Sequence, residues 1–486
     1  MAYKDLQDFM AALESRGELR RVSVEVDPEL EITEIADRVM RSPDGGPALL
    51  FEKVKGSEYP LLINAMGSER RMALAFGAAS LDEKATEIEH LISWAWKQLR
   101  GFNLFKAAPE ALPKLPVALS LFPHRVTRPK CQEIKDNEAG FDSLPVLKCW
   151  PLDGGRFLTL PLVCTRDPET GVQNVGMYRM QVYDNRTAGM HWHIHKDGAH
   201  FFQKYKERGQ RMPVAVALGC DPAVTYASTA PLPEGLWEML FAGFLRGKPA
   251  QIAKATLSDL DVPADAEFVL EGYVDPGESR MEGPFGDHTG FYSLEDEYPV
   301  FHLQRMTRRR HPVYPATIVG IPPKEDCWMA KATERLFLPL LRQLCPEIVD
   351  LSMPLEGVFH NCVIVSIRKR YPGQARKVMN FIWGMGQMMY TKLIVVVDDD
   401  VQPSDVSTVA WRAFNNIDAR RDLVLSDGPL DALDHSSPMP RYGTRLGIDA
   451  TRKGPDEGHT RPWPSPLAMD DRIKLLVDSR WEQYGL

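Results

Sequence analysis

The sequence lacks several features that would assign it to a familiar class of protein. Its 7 cysteines are scattered and include no Cys-x-x-Cys pair, which argues against a disulfide framework or a cysteine zinc site. No apolar run is long enough to cross a membrane, and the first residues form no signal-peptide core. Neither Gly-x-Gly-x-x-Gly nor Gly-x-x-x-x-Gly-Lys occurs, so a Rossmann or P-loop nucleotide site has no support. These absences predict a cytoplasmic protein with reduced thiols.

Excess positive charge is also absent. The 486 residues carry a formal net charge of −8, which argues against nucleic acid as a partner and favours small molecules. Apolar residues make up 44% of the chain, enough for sizeable cores, and the length predicts two or three domains.

The distribution of apolar runs predicts an α+β chain of three domains. Residues 1–115 alternate helical stripes with short buried strands and form an N-terminal α/β domain that ends in a Pro-rich link. Residues 116–325 are rich in strands and turns, which predicts a β-barrel with inserted helices. In residues 326–486, two continuous apolar runs flank a helical segment, which predicts a C-terminal α/β domain, and a terminal helix follows.

The segment Glu282-Gly-Pro-Phe-Gly-Asp287-His288 places two carboxylates on either side of a turn that glycine and proline favour. Two carboxylates held close together do not both ionise easily, so one becomes an acid while the other stays a base. The pattern favours a proton-transfer site. A surface turn with solvated acids is the alternative.

A second polar segment reads as strand, turn and strand, over residues 174–183 and 189–195. The period of two puts the alternate histidines His191, His193 and His195 on one face of the second strand. A turn at 185–186 predicts that Arg179 lies opposite Trp192 or His193. The alternative is an exposed polar face of a sheet.

These two segments, together with Pro231-Leu-Pro-Glu-Gly-Leu-Trp-Glu238, closely resemble the UbiD decarboxylases over essentially the whole chain. The resemblance implies reversible decarboxylation of an aromatic or α,β-unsaturated acid with prenylated FMN as the cofactor. It also implies that the central domain, residues 116–325, is a split β-barrel that binds the flavin.

The resemblance further implies the residues of the site. The flavin would contact Met177, Tyr178, Arg179, His191, Trp192, His193, Lys196, Asp197 and Lys392. Mn²⁺ or Mg²⁺ would be held by Asn174, His195 and Glu238, which are ligands that suit such ions. K⁺ would be held by backbone oxygens of Ala227, Ser228 and Ala230 together with Glu238.

The catalytic group that the resemblance implies is Arg179, Glu282 and Asp287. Arg179 would bind the substrate carboxylate and keep Glu282 ionised. Asp287 would donate the proton that replaces CO₂, with Glu282 as its relay partner. That role requires a raised pKa at Asp287, which burial and the neighbouring Glu282 are expected to supply.

The substrate stays open between three classes of acid. A 4-hydroxy-3-polyprenylbenzoate or a dihydroxynaphthoate would place the enzyme in quinone biosynthesis, and a soluble phenolic or heteroaromatic acid is the third class. Implied partners are a flavin prenyltransferase that supplies the cofactor, a second copy of the chain in a dimer or hexamer, and a membrane surface for a prenyl-lipid substrate.

Two other functions remain open at this point. His191, His193 and Glu238 would also suit a mononuclear metal site in a flavin-free hydrolase or oxygenase. A flavin-dependent binding module without decarboxylase activity is the other alternative.

Overall fold

A computed structural model describes residues 3–100, 115–192, 197–233, 235–358 and 360–485. Amphipathic patterns and polar caps produce the helices in these segments; Asp5, for example, accepts a hydrogen bond from the Asp8 amide at the start of α1. The α-helices are α1 Leu6–Ser15, α2 Glu31–Met40, α3 Glu69–Ala75, α4 Leu81–Arg100, α5 Leu115–Leu121, α6 Asp197–Glu207, α7 Pro222–Ala227, α8 Glu238–Arg246, α9 Glu325–Leu344, α10 Gln374–Trp383, α11 Val406–Asn416, α12 Ala419–Asp422 and α13 Asp471–Ser479.

The first sheet combines the N-terminal region with a distant segment. It has the order β1-β2-β3-β16, where the strands are β1 Leu19–Val26, β2 Ala48–Val54, β3 Leu61–Ile63 and β16 Tyr314–Ala316. β16 pairs in parallel with β3, so this layer is completed by a strand from far along the sequence. The division at 115 and 325 stays a prediction.

The central sheet carries the candidate site. Its order is β6-β9-β10-β15-β14-β11-β7-β8, with β5 paired to β15, and it curls into a half-barrel. Its strands are β5 Ile134–Asp136, β6 Arg156–Leu158, β7 Leu162–Arg166, β8 Gln173–Met177, β9 Met180–Val182, β10 Thr187–Gly189, β11 Met212–Leu218, β14 Phe268–Glu282 and β15 Asp296–Arg308. A small sheet of β13 Asp261–Pro263, β12 Gln251–Lys254 and β4 His124–Arg125 lies beside it.

The C-terminal sheet has the order β17-β18-β19-β21-β20. Its strands are β17 Ile348–Ser352, β18 Cys362–Ile367, β19 Leu393–Asp398, β20 Leu423–Pro429 and β21 Tyr442–Asp449. β18 and β19 are parallel and joined through α10, as the two apolar runs predict. The predicted α+β fold with a central barrel and a C-terminal α/β layer is confirmed.

The predicted continuous strand over 174–183 is wrong. The chain leaves the sheet at Tyr178 and Arg179, so β8 pairs with β7 while β9 pairs with β6 and β10. The hydrogen bond from the His191 amide to the Arg179 carbonyl, 3.4 Å, sets Arg179 opposite His191 and not opposite Trp192, while His193 lies outside the described residues. The break releases the Arg179 side chain from the alternation of a regular strand.

No helix in the described segments is long and apolar enough to span a membrane. All seven cysteines are free thiols, and six of them are buried.

Candidate active site

The centre of the site lies where the hairpin of β14 and β15 turns. Glu282 is the last residue of β14, and Gly283 follows with a φ of 101°, a backbone conformation that glycine adopts without strain. Gly286 packs so closely on the Trp150 ring that a Cβ there would lie 2.2 Å from it. The backbone between Glu282 and Asp287 is therefore tightly packed and depends on glycine at both positions.

Asp153 fixes this turn from a separate loop. Its Oδ1 accepts a hydrogen bond from the Gly286 amide at 2.7 Å. Its Oδ2 accepts from the amides of Trp150 at 2.8 Å and Cys149 at 3.1 Å. Because the side chain is 95% buried, these three N–H groups depend on one carboxylate.

Arg179 joins the two carboxylates of the motif. Its Nε donates to Glu282 Oε1 at 2.9 Å, and its Nη1 forms a short ion pair with Asp287 Oδ2. Its Nη2 donates to Ser293 Oγ at 3.2 Å, and the guanidinium lies 4.7 Å from the centre of the Phe285 ring. The sequence prediction that these three charged residues meet in one place agrees with this geometry.

His191 completes the surroundings of Glu282. Its Nδ1 makes a short hydrogen bond with Glu282 Oε2, and its ring packs on Tyr298 with 4.3 Å between centroids. Burial and the charge of Arg179 lower the pKa of His191, so the ring is neutral and its Nδ1–H donates to the carboxylate. Burial alone would raise the pKa of Glu282, but the bonds to His191 and Arg179 outweigh it and lower that pKa.

The expected raised pKa of Asp287 is wrong. Burial favours the neutral acid, but Arg179 and the bonds from His288 outweigh burial and hold the pKa of Asp287 well below its usual range. Glu282 does not supply the expected opposing effect because Arg179 neutralises it at the same time. These contacts therefore favour the carboxylate form of Asp287.

A second polar corner lies at the start of β8 and of α8. Asn174 Nδ2 donates to Glu238 Oε1 at 2.6 Å and to Asp197 Oδ2 at 3.3 Å, and Glu238 Oε2 accepts from the Val175 amide at 2.7 Å. Burial raises the pKa of Glu238 to about 8. The Oδ1 of Asn174 is buried and accepts no hydrogen bond from the part of the chain that the structure describes.

Three other residues implied for the flavin are Met177, Tyr178 and Trp192. Tyr178 and Trp192 are buried and meet edge to face at 6.5 Å between centroids. The Met177 amide donates to the Ser228 carbonyl at 3.1 Å, which ties β8 to the loop after α7.

The remaining sequence-predicted site residues are three that the structure does not describe, Lys392, and the three carbonyl positions proposed for K⁺. His193, His195 and Lys196 lie outside the described residues. Lys392 pairs with Asp434 at 2.5 Å and binds Ser436, in the C-terminal layer. The carbonyl oxygens of Ala227, Ser228 and Ala230 each accept a backbone N–H, from Ala230, Met177 and Leu232 respectively. Among the described residues, no three His, Cys, Asp or Glu side chains are grouped to hold a metal ion.

Sequence reasoning missed the residues that support the catalytic group. Asp153 and Ser293 carry no motif of their own, since their role depends on N–H groups and a guanidinium from other segments. His288 stands inside the quoted motif and binds Asp287 directly, at 2.8 Å between Nδ1 and Oδ1. Because His288 directly follows Asp287 in the sequence, a contact between the two side chains could have been predicted.

Comparison with known families assigns the chain to one of them. The N-terminal, Rift-related and C-terminal domain families of 3-octaprenyl-4-hydroxybenzoate carboxy-lyase match residues 10–92, 124–322 and 327–450. The chain therefore belongs to the UbiD family, whose members are decarboxylases, and the protein is a carboxy-lyase.

Individual relatives span the full length. An uncharacterised protein of Archaeoglobus fulgidus is 50% identical over 485 residues, covering 99% of each chain. The closed form of vanillic acid decarboxylase from Sedimentibacter hydroxybenzoicus has 28% identity and a TM-score of 0.86, covering 99% of each chain. HmfF from Pelotomaculum thermopropionicum, a UbiD-class enzyme solved with FMN, has 28% identity and a TM-score of 0.79, covering 97% of this chain and 99% of that one.

The Asp153 contacts generate a prediction about the turn. Asp153→Ala leaves three buried N–H groups without an acceptor, so we expect local destabilisation of about 3 kcal/mol or more. Hydrogen exchange of the Gly286 amide, followed by mass spectrometry, should accelerate by at least ~10²-fold. Asp142→Ala is the control, since Asp142 is 61% exposed and pairs only with Arg156. Unchanged exchange at Gly286 in Asp153→Ala would contradict the role of Asp153.

Proposed function

We propose that the protein removes CO₂ reversibly from an aromatic carboxylic acid, without net oxidation, and uses prenylated FMN as its cofactor. The observation that carries this proposal is the buried contact of Arg179 with both Glu282 and Asp287. A cation held between an ionised base and a proton-donor candidate is what binding a carboxylate and then protonating the carbon beside it requires.

Arg179 has N–H donors that the described contacts do not use and that a substrate can bind. A guanidinium carries five N–H groups, and the described contacts use one each from Nε, Nη1 and Nη2. The two others are available to a substrate carboxylate, which Arg179 can bind in a fixed orientation. The Phe285 ring beneath the guanidinium limits the directions from which a substrate can approach.

Binding of a substrate carboxylate beside Arg179 would change the pKa of Asp287. A third carboxylate beside Arg179 competes for the same positive charge, which raises the pKa of the carboxylates already there. Glu282 keeps its bond from His191, whereas Asp287 shares its only guanidinium contact with the incoming group. We therefore assign the proton to Asp287, which delivers it to the carbon that has lost CO₂.

The residues that would hold the cofactor lie at the end of β8 and in the segment around Trp192. When bound, prenylated FMN supplies the electron sink for the charge left by decarboxylation. Met177, Tyr178 and Trp192 would line its binding site. Two solved structures of HmfF, one with FMN and one of an evolved dimeric form with prenylated FMN, support the proposal that the present chain also binds a flavin.

A divalent cation fits the corner formed by Asn174 and Glu238. The unsatisfied Oδ1 of Asn174 and the buried Glu238 carboxylate are oxygen donors of the kind that Mn²⁺ and Mg²⁺ bind. Such an ion would hold Glu238 ionised and bind the flavin phosphate. His195 remains the third proposed ligand, and K⁺ at Ala227, Ser228 and Ala230 remains a proposal from the family resemblance.

The surroundings of Asp287 favour a single aromatic ring with an apolar extension. A cavity of about 210 Å³ is lined by Asp287 and Trp150, with Asp37 and Arg41 on its charged side, and is somewhat larger than an engineered cavity of ~150 Å³ that binds benzene. Exposed apolar side chains stand at its rim, namely Phe291, Tyr292 and Ile321. This rim favours a polyprenyl-hydroxybenzoate, in quinone biosynthesis, over an unsubstituted phenolic acid.

The proposed cofactor generates the first prediction of activity. The protein should release CO₂ from an aromatic acid only when a flavin prenyltransferase is coexpressed in a host that lacks its own. Mass spectrometry of the extracted cofactor should identify prenylated FMN.

The proposed substrate class predicts a preference between two acids. A matched pair, 4-hydroxybenzoate and its 3-prenyl derivative, should differ by at least tenfold in kcat/KM in favour of the prenylated acid. Equal activity without the prenyltransferase would contradict the cofactor, and equal kcat/KM would contradict the substrate class.

The metal corner predicts the effect of Glu238→Gln. The amide keeps the size of the side chain but removes the negative charge, so Mn²⁺ and flavin retention should both fall. The loss of a direct ligand should exceed the roughly 10–100-fold typical of indirect neighbours. Elemental analysis and the flavin absorbance of the purified variant are the measurements, with the exposed Glu207→Gln as control. Full occupancy of both in Glu238→Gln would exclude Glu238 as a ligand.

The proton assignment predicts that Asp287→Asn separates binding from turnover. The amide keeps the size of the side chain, and the backbone bonds of the turn, from the Asp287 amide to the Phe291 carbonyl and from the Gly290 amide to the Asp287 carbonyl, do not involve it. Because the amide cannot act as the acid, turnover should fall by about 10²–10⁴-fold. Exchange of deuterium from D₂O into the product should fall in parallel while flavin content stays constant. Asp296→Asn, at an exposed position of the same hairpin, is the control. Wild-type exchange in Asp287→Asn would transfer the role to Glu282.

A further inference from the structure

His288 encloses the free side of Asp287. The His288 amide and its Nδ1 both bind Asp287 Oδ1, at 2.7 Å and 2.8 Å, while Arg179 takes Oδ2. Only 9% of the Asp287 side chain is exposed. Every decarboxylation consumes one proton, so this enclosed carboxylate must be recharged in each cycle, and His288 is a titratable group in direct contact with it.

His360 reaches His288 from the C-terminal layer. It lies two residues before β18, and its Nε2 is 3.0 Å from the Nε2 of His288, with the ring planes at 75°. Two imidazole nitrogens at this distance share one hydrogen, because an N–H must face a lone pair. When His288 carries both of its hydrogens, His360 is the acceptor, and the ring of His288 is held with Nδ1 towards Asp287.

The charges around the pair place the proton on His288. Three carboxylates act on it electrostatically: Asp287 on its own loop, Asp326 on α9 and Asp431 between β20 and β21. Burial lowers the pKa of His288, but the hydrogen bond and charge of Asp287 outweigh burial and raise it. Burial and the neighbouring His288 lower the pKa of His360 to about 4, so His360 is neutral.

We propose that His288, as an imidazolium, stores the proton that Asp287 delivers to the product carbon, and that His360 is the positioning residue that orients it. In the step, the Nδ1–H bond of His288 breaks and an O–H bond forms on Asp287 Oδ1, which turns an imidazolium and a carboxylate into a neutral pair. Asp287 then gives this proton to the carbon, and His288 takes the next one from solvent. This inference rests on the proposed function of Asp287.

The geometry also links proton supply to the C-terminal layer. His288 belongs to the turn after β14, whereas His360 and Asp431 belong to segments of the C-terminal sheet. The storage site is therefore complete only when that layer packs against the barrel.

The first test is the ionisation of His288 itself. In uniformly ¹⁵N-histidine-labelled protein, His288 should titrate above the ordinary pKa of about 6.5. It should titrate lower in Asp287→Asn and in His360→Leu, but close to the wild type in His360→Gln, whose side-chain oxygen can still accept the Nε2–H. A His288 resonance that titrates at or below 6.5 in the wild type overturns the proposal. This measurement needs no substrate, so it stays decisive even where the wild type releases no CO₂, which would refute the proposed function alone.

The second test uses turnover and chemical rescue. kcat of the wild type should fall as the pH rises through the pKa of His288, because the stored proton is lost. His288→Ala and His288→Asn should lose at least ~10²-fold in deuterium exchange into product, and added imidazole should restore part of that rate in His288→Ala. His302→Ala is the matched control, since His302 pairs with Glu278 at 2.6 Å elsewhere in the barrel. Wild-type exchange rates in both His288 variants overturn the proposal.

Discussion

One buried guanidinium that serves two carboxylates is the constraint on which the rest of the site depends. Glu282 is fully buried and Asp287 nearly so, and a buried carboxylate without a partner is costly. Removing one partner of a buried ion pair typically costs about 3–5 kcal/mol, because the remaining charge is left uncompensated. With His288 as the second cation that we propose, the group would have two positive and two negative charges and be neutral as a whole. The site is therefore stable only as a complete set.

The scaffold satisfies this constraint by joining segments that lie far apart in the sequence. Arg179 stands where the chain leaves the sheet between β8 and β9, so its side chain is not committed to either face. Glu282 ends a strand of the longest hairpin, and the packed turn that follows fixes the distance to Asp287. Asp153 holds that turn through backbone amides. The end of a strand therefore positions Glu282, a break between two strands positions Arg179, and a supported turn positions Asp287.

Much of this arrangement was predictable from the sequence. Continuous apolar runs predict the parallel C-terminal strands, and the spacing of Glu282 and Asp287 predicts a carboxylate pair because both lie within one short motif. The break at Arg179 was not predictable, since residues 174–183 keep a regular period of two across it. The role of Asp153 depends on a turn that lies 133 residues away in the chain. Burial raises the pKa of Asp287, whereas Arg179 and His288 lower it. The sequence does not show which effect is larger, because that depends on contacts between distant segments.

An Asp287 that is ionised before the substrate binds is consistent with the role of proton donor that we propose for it. A permanently protonated Asp287 would leave Arg179 with Glu282 alone and would give the guanidinium nothing to exchange for a substrate carboxylate. An ionised Asp287 holds Arg179 in place until the substrate carboxylate takes over part of that contact, and the displaced carboxylate then binds a proton more tightly. When CO₂ leaves as a neutral molecule, the negative charge of the substrate carboxylate is lost from beside Arg179. Asp287 then gives up its proton most readily, because Arg179 is again free to stabilise its carboxylate, so the charge of the substrate itself sets the order of the proton-transfer steps.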